Sequence, residues 1–417
     1  MLKEFLKKEP ERFAKLTLQL PAGTNPSYFV NALYGLNGAD ADSMLKFEVA
    51  RRVFDSDDTA CLMAALDLLA SVEDRTLPDD AVQFIQQMAT EHPNPEADES
   101  DDRDPVQHGI NTVRGHAVGA IRNLIFSGQP YLEIFRPTVE RCVLDPTLAI
   151  RACAVATLAA VAVHDEPWAI SQFKQLLKAD DKLLNSHYIE DFLARGLREH
   201  IDDFRSIIER MLTSEMKEVR QAGGRLACLA RLYHPQLDDL SEVAMLGDPA
   251  CRLGATEVAN HNLTNEYCRP WCEAALIRFF NDDDGDVRRH AAGSFWHLWQ
   301  QPDLPLGDYD SLIRCFLASK AFADEPTYLL HALDDTRQRV PETILDVCDT
   351  FVTKCAEEAK DISTSMAGDE TTVGKLVFRA YAQLEAQPLR KRALELIDRM
   401  CAEGLQSAGK HLTDFER

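Results

Sequence analysis

DPTLAIRACAVATLAAVAV, residues 145–163, is the stretch that decides the fold. It opens with Asp145 and Pro146, an N-cap residue followed by one whose backbone is pre-set for a first helical turn. Ala, Leu, Val and Ile then cover nearly every side of the helix, so it must lie buried between neighbours. Inside it sits a short signature, Ile150-Arg151-x-x-Ala154. The signature returns as Val113-Arg114-x-x-Ala117, Val219-Arg220-x-x-Gly223, Cys251-Arg252-x-x-Ala255 and Val287-Arg288-x-x-Ala291. The arginines lie 37, 69, 32 and 36 residues apart, the longest interval holding two periods with a worn copy near residues 188–193. Each unit also carries an amphipathic segment, as at 131–144, 168–177, 204–212, 271–280 and 309–317. A period of about 30–47 residues predicts stacked helical hairpins, an all-α superhelical solenoid.

The chemistry of the signature is structural. A small residue three positions after the arginine lets the next helix come close, and the apolar residue before it fills the gap between layers. The guanidinium can donate to carboxylates or carbonyls at the ends of adjacent units, with Asp145, Asp248 and Asp284 as the partners expected just upstream. Arg114, Arg151, Arg220, Arg252 and Arg288 are therefore assigned to holding the array together, because identical residues in every repeat rarely build one site. The pattern resembles HEAT repeats, in which an Asp or Pro starts the second helix and Val-Arg-x-x-Ala lies on it. The resemblance covers residues 109–300 and fades on either side. Tetratricopeptide and ankyrin repeats are disfavoured, since neither Trp-x-x-Leu-Gly nor Thr-Pro-Leu-His occurs.

Outward from that block, residues 1–92 read as an N-terminal helical region, with apolar positions such as Phe5, Phe13, Leu16, Tyr28, Phe29, Leu33 and Leu36 spaced by threes and fours. Residues 93–105 form an acidic, proline-rich surface loop, and 106–318 hold the HEAT-like repeats. Residues 319–417 supply C-terminal helical repeats and a charged cap, with a Ser-, Thr- and acid-rich loop expected at 361–372.

The chain has 45 Lys plus Arg against 68 Asp plus Glu, a net charge of −23, which repels a phosphate backbone and argues against nucleic acid as a partner. No apolar run reaches the roughly 20 residues of a membrane span, and charges in MLKEFLKKEPERF argue against a signal peptide. Eleven scattered cysteines read as buried free thiols in a reducing compartment, so a cytoplasmic location is expected.

Motifs for catalysis are sparse. The segment from Gly368 to Gly374-Lys375-Leu376 is one residue too long for a phosphate-binding loop and has Leu where a hydroxyl must reach Mg²⁺. His261, Cys268 and Cys272 are the nearest approach to a metal set but lack the ligand pairing of a zinc site. His290 and His297 lie seven apart with no third ligand indicated. There is no Gly-x-Ser-x-Gly elbow. HEAT-repeat hydroxylases use His-Glu dipeptides as iron ligands, and the chain contains none. HEAT-like DNA glycosylases depend on a basic concave face, and Arg390-Lys391-Arg392 reads instead as one solvated helix face. No cofactor, metal or catalytic residue is therefore assigned.

Phe295, Trp296 and Trp299 form the candidate partner-binding group, since Trp is favoured at binding hot spots; the competing assignment is helix core. The blocks NTVRGHAVGAIRNLIF and DPTLAIRACAVATLAAV, with the C-terminal ending, are similar to the C-terminal helical regions of large bacterial STAND-type ATP-binding proteins of antiviral defence. That resemblance implies a sensor array without its nucleotide-binding module, whose partner is an NTPase subunit or a foreign phage protein. The function expected is thus a non-enzymatic, protein-binding HEAT-type scaffold or sensor, bacterial and cytoplasmic. The alternative class is a nucleic-acid-acting HEAT-like enzyme or a metal-dependent, hydroxylase-like protein.

Overall fold

The computed structural model describes residues 8–21, 23–72, 77–95, 104–178, 181–361 and 363–405. Among them there are helices and no strands, and the helices fall into two compact units, Met1–Asp203 and Phe204–Arg417. The architecture is all-α, built of HEAT-like helical hairpins.

In the first unit the helices are α1 (Pro10–Leu18), α2 (Pro26–Asn37), α3 (Ser43–Arg51), α4 (Thr59–Ala70), α5 (Asp79–Thr90), α6 (Pro105–Ile110), α7 (Val113–Ser127), α8 (Gln129–Val143), α9 (Leu148–Ala162) and α10 (Glu166–Leu176). A 3-10 turn (Asp181–Asn185) leads into α11 (His187–Leu212), which kinks at His200 and belongs to this unit only as far as Asp203. Helices α2, α4, α7 and α9 pack side by side as one layer, and α5, α8 and α10 form the other. Helix α9 is enclosed as its composition requires: Ala149, Ile150, Ala152, Val155, Leu158 and Val161 are all buried, against α6, α7, α8 and α10.

In the second unit the chain continues with α12 (Lys217–Tyr233), α13 (Asp238–Leu246), α14 (Pro249–Asn262), α15 (Arg269–Phe279), α16 (Gly285–Ala292), α17 (Ser294–Trp299), α18 (Asp310–Ala318), α19 (Ala321–Asp324), α20 (Thr327–Asp335), α21 (Pro341–Lys354), α22 (Ala356–Ala359), α23 (Met366–Gln383) and α24 (Gln387–Ala402). One layer runs α12, α14, α16–α17, α20, α23; α15 packs on α18, and α21 on α24, in the other. Aspartates start many helices. Asp58, Asp104, Asp165, Asp248 and Asp284 each accept a backbone N–H from the first turn of α4, α6, α10, α14 and α16.

Three expectations need correction. Asp145 is not an N-cap: Thr147 holds that place and α9 begins at Leu148. The Asp145 carboxylate accepts the Thr147 amide at 2.9 Å and faces Arg114 instead. Outside the signature-bearing block, α2 and α4 before it, and α20 and α23 after it, occupy the same layers without any Val-Arg pair. The loop expected at 361–372 is helical from Met366, since Asp369 is accommodated in the interior by the Thr327 hydroxyl, which donates to it at 2.8 Å. Tyr28 and Leu16, expected to mark apolar faces, are 66% and 49% exposed. The worn copy near 188–193 is the start of α11. Phe5, residues 96–103 of the acidic loop and residues 406–417 of the cap lie outside the described residues.

Candidate protein-binding surface

The five signature arginines act in series rather than together. Arg114 is buried between Asp145, its ion-pair partner, and the Ala89 carbonyl oxygen, to which its Nε donates at 3.1 Å. Arg151 Nε donates to the Asp145 carbonyl oxygen, so one aspartate serves two successive arginines. In the second unit Arg220 donates to Asp248 at 2.7 Å and to the Ser214 and Glu215 carbonyls at 2.7 and 2.9 Å. Arg252 meets Asp282 at 2.8 Å and the Gly247 carbonyl at 2.5 Å. Arg288 takes Asp324 at 2.5 Å and the Asp282 carbonyl at 2.7 Å. Each guanidinium of this second unit thus ties the turn before its own helix to the carboxylate of the next hairpin, which its planar fork of donors suits. Asp284, expected as an arginine partner, instead caps α16 through the Asp286 and Val287 amides at 2.8 and 3.2 Å. The residues three after each arginine, Ala117, Ala154, Gly223, Ala255 and Ala291, are all buried.

The aromatic candidates part company. Phe295 is fully buried, 4.6 Å from the Phe316 ring and 6.2 Å from Phe280, so it is core and cannot meet a partner. Trp296 and Trp299 turn outward. Their rings meet edge to face at 4.8 Å, and Trp296 stands 41% exposed. Tyr328 lies edge-on to Trp296 at 5.7 Å, and His331 stacks on Trp299 at 4.7 Å. The Trp299 indole N–H donates to Asp335 at 2.6 Å. Helices α17 and α20 therefore present four linked rings with an exposed carboxylate at one end. On the neighbouring α14, His261 lies edge-on to His297 at 5.9 Å, and burial followed by the His261 charge holds His297 below its ordinary pKa. Tyr328 and His331 carried no signal of their own in the sequence; only the packing of α17 on α20 brings them to the tryptophans.

The first unit carries an open groove of about 800 Å³ along α7, lined by Asp67 and Ala70 of α4, Gly115, His116, Gly119, Arg122 and Phe126 of α7, and Cys153, Ala156 and Tyr188. His116 Nδ1 lies 2.9 Å from Asp67, and Phe126 is 48% exposed at the rim. Cys153 is buried at the groove wall, and burial pushes its thiol up to about 12.

The remaining motifs find structural explanations. The segment from Gly368 to Lys375 lies inside α23, and Lys375 pairs with Asp334 at 2.6 Å, so it forms no phosphate-binding loop. Cys272 is buried, its thiol pushed up to about 12 by burial and the neighbouring Cys268, and His261 faces His297 rather than the two cysteines. His290 is exposed, with Nδ1 3.0 Å from the Asp286 carbonyl oxygen. Arg392 pairs with Asp346 at 2.7 Å and the Arg390 guanidinium lies 4.8 Å from the Tyr381 ring centre. Among the described residues no helix is long and apolar enough to cross a membrane.

No protein-family model and no curated protein matches the sequence. Solved structures similar to the chain include Kap121p bound to Nup53p (TM-score 0.46, 12% identity, 94% of this chain and 45% of that one) and the karyopherin Kap121p bound to the SUMO protease Ulp1p (TM-score 0.48, 11% identity, 94% and 45%). A third is Kap95p with RanGDP (TM-score 0.42, 11% identity, 96% and 67%). The chain spans less than half the length of the Kap121p chains it matches in those two structures. At these values the likenesses carry no argument about what this chain binds.

Proposed function

We propose that this chain is a protein-binding helical scaffold, and that Trp296, with Trp299, Tyr328 and His331 around it, is its principal contact. One observation carries the reading: a half-exposed tryptophan at the centre of a ring cluster whose members lie on two adjacent helices, with Asp335 at its edge. Rings held by one another present large rigid area at little entropic cost, and Trp is the residue most enriched at binding hot spots. The aromatic faces, the adjacent carboxylate and the net charge of −23 favour a segment bearing Arg or Lys, which gains cation–π and long-range attraction together. The resemblance to STAND-type sensor arrays extends this proposal to a partner that is an NTPase subunit or a foreign phage protein, in a bacterial defence system.

The test is a tryptophan-fluorescence titration of the full chain with a defined arginine-rich decapeptide, with an acidic decapeptide of matched length as control. The reading predicts saturable quenching that weakens with salt and is lost in Trp296→Ala. An identical titration curve in Trp296→Ala, or equal response to the acidic peptide, overturns it.

A further inference from the structure

We propose that Glu166, Glu199 and His200 form a binding site for a divalent transition-metal ion of the Zn²⁺ type, at the kink of α11. Each offers one ligand atom, and the three atoms lie within 4.8 Å of one another. Zinc–nitrogen and zinc–oxygen bonds of about 2.0–2.2 Å allow ligand pairs about 3.0–4.4 Å apart, so a small rotation of the two glutamate side chains closes the set. His200 Nε2 is already 3.1 Å from Glu166.

The kink is what brings the group together. Neighbouring residues on a regular helix point about 100° apart and do not share a target. His200 leaves the helical conformation, with φ −124° and ψ 27°, and so can aim with Glu199 at Glu166, the first residue of α10. The other side of the imidazole also looks toward a carboxylate, though beyond hydrogen-bond distance. Nδ1 faces Asp203 at 3.8 Å, and Asp203 is pinned by Lys174 at 2.6 Å. A ligating histidine ordinarily hands its second ring N–H to such a carboxylate, which fixes the tautomer and raises the basicity of the ligating nitrogen. One imidazole with two carboxylates suits Zn²⁺, Co²⁺ or Mn²⁺ better than Ca²⁺, which takes oxygen ligands in greater number. Two carboxylates against a dication leave the site near neutral, and three protein ligands leave a position for water. A bound ion would fasten the start of α10 to the kink, giving this helix a metal-dependent rigidity.

The experiment uses the full chain without an affinity tag, titrated with ZnCl₂ by calorimetry and with CoCl₂ by absorbance. The expected result is one ion per chain, a visible Co²⁺ d–d band and no thiolate-to-cobalt charge transfer, which separates this site from any cysteine site. Glu199 is exposed, so Glu199→Gln is expected to fold normally and to weaken Zn²⁺ binding by at least about 10-fold, with His200→Ala removing it. No saturable binding below about 100 μM, or unchanged affinity in folded Glu199→Gln, overturns the proposal and leaves an ordinary ion-pair cluster.

Discussion

Helices α7 and α9 in the first unit and α12 and α14 in the second carry the same arginine-plus-small signature, yet they are held in different ways. In the first unit the arginine ion pair is nearly dry: Arg114 and Asp145 each keep only 9% of their side-chain exposure. The helices there are also linked by the Thr157 hydroxyl, which donates to the Val118 carbonyl at 3.2 Å. Gly119 looks into the open groove with nothing within 4 Å of where a Cβ would sit. In the second unit the Arg220 pair is wetter, with Arg220 and Asp248 at 24% and 37%, while Arg252 and Asp282 keep 19% and 10%. Gly224 and Gly254 there face backbone, as Gly109 does in the first unit, where a Cβ would lie 2.5 Å from the Ala149 carbonyl oxygen. A Cβ on Gly224 would lie 2.3 Å from the Cys251 carbonyl oxygen, and one on Gly254 would lie 2.0 Å from that of Gln221. One repeat pattern thus mixes two kinds of adhesion, charge pairs of differing burial and backbone contact at glycine, and Gly119 beside the groove is free of the second.

The largest effect expected from this contrast is at Arg114. Arg114→Ala strands the Asp145 carboxylate in a buried site and opens the Ala89 carbonyl, a loss of roughly 3–5 kcal/mol for breaking one side of a buried pair. Arg220→Ala removes a pair that water already screens, and is expected to cost about 1 kcal/mol or less from the ion pair. Urea unfolding of both variants followed by circular dichroism checks the order. Equal losses would show that burial of the pair does not set its worth.

Next comes Gly254→Ala. A methyl group cannot fit 2.0 Å from a carbonyl oxygen, so α12 and α14 must separate, and overpacking of this kind costs about 1–3 kcal/mol. The gain in helix propensity from Gly to Ala, about 1 kcal/mol, works against that loss and leaves a net cost of up to about 2 kcal/mol. A thermal melt that is unchanged or raised would mean that the two backbones are not in contact in solution.

These contrasts also mark what a reader of the bare chain can and cannot see. The hairpin period was visible because buried helices leave a spacing, but Asp145 and Asp248, expected to serve the arginines just after them, turn their carboxylates to Arg114 and Arg220 about one period before. Asp284, expected to serve Arg288 just after it, misled because its carboxylate is taken up in capping α16, and Arg288 turns to Asp324 and the Asp282 carbonyl instead. Phe295 and Trp296 are adjacent in sequence but about 100° apart on their helix, so one enters the core and the other meets solvent; composition alone cannot set that register. The α2, α4, α20 and α23 helices lack the Val-Arg signature yet occupy the same layers, and α20 and α23 are joined instead by Arg379, which donates to the Asp334 carbonyl at 2.6 Å, and by the Lys375–Asp334 pair. Glu166 and the Glu199–His200 pair are joined only through a backbone kink, for which no residue pattern stands.

The smallest effect expected is also the one that separates the two uses of glycine most sharply. Gly119→Ala places its methyl group in the groove, where no atom waits within 4 Å, so no packing is disturbed. The unfolded chain loses conformational freedom and the helix gains propensity, which together stabilise by about 0.5–1 kcal/mol. The same exchange therefore carries opposite signs at Gly119 and Gly254, positions that both lie on helices of the signature-bearing layers. Chemical denaturation of the two variants side by side measures that difference directly. If Gly119→Ala destabilises, the groove closes in solution and α7 touches its neighbours there as α12 touches α14; if it stabilises, the groove stays open, as a surface that receives something must.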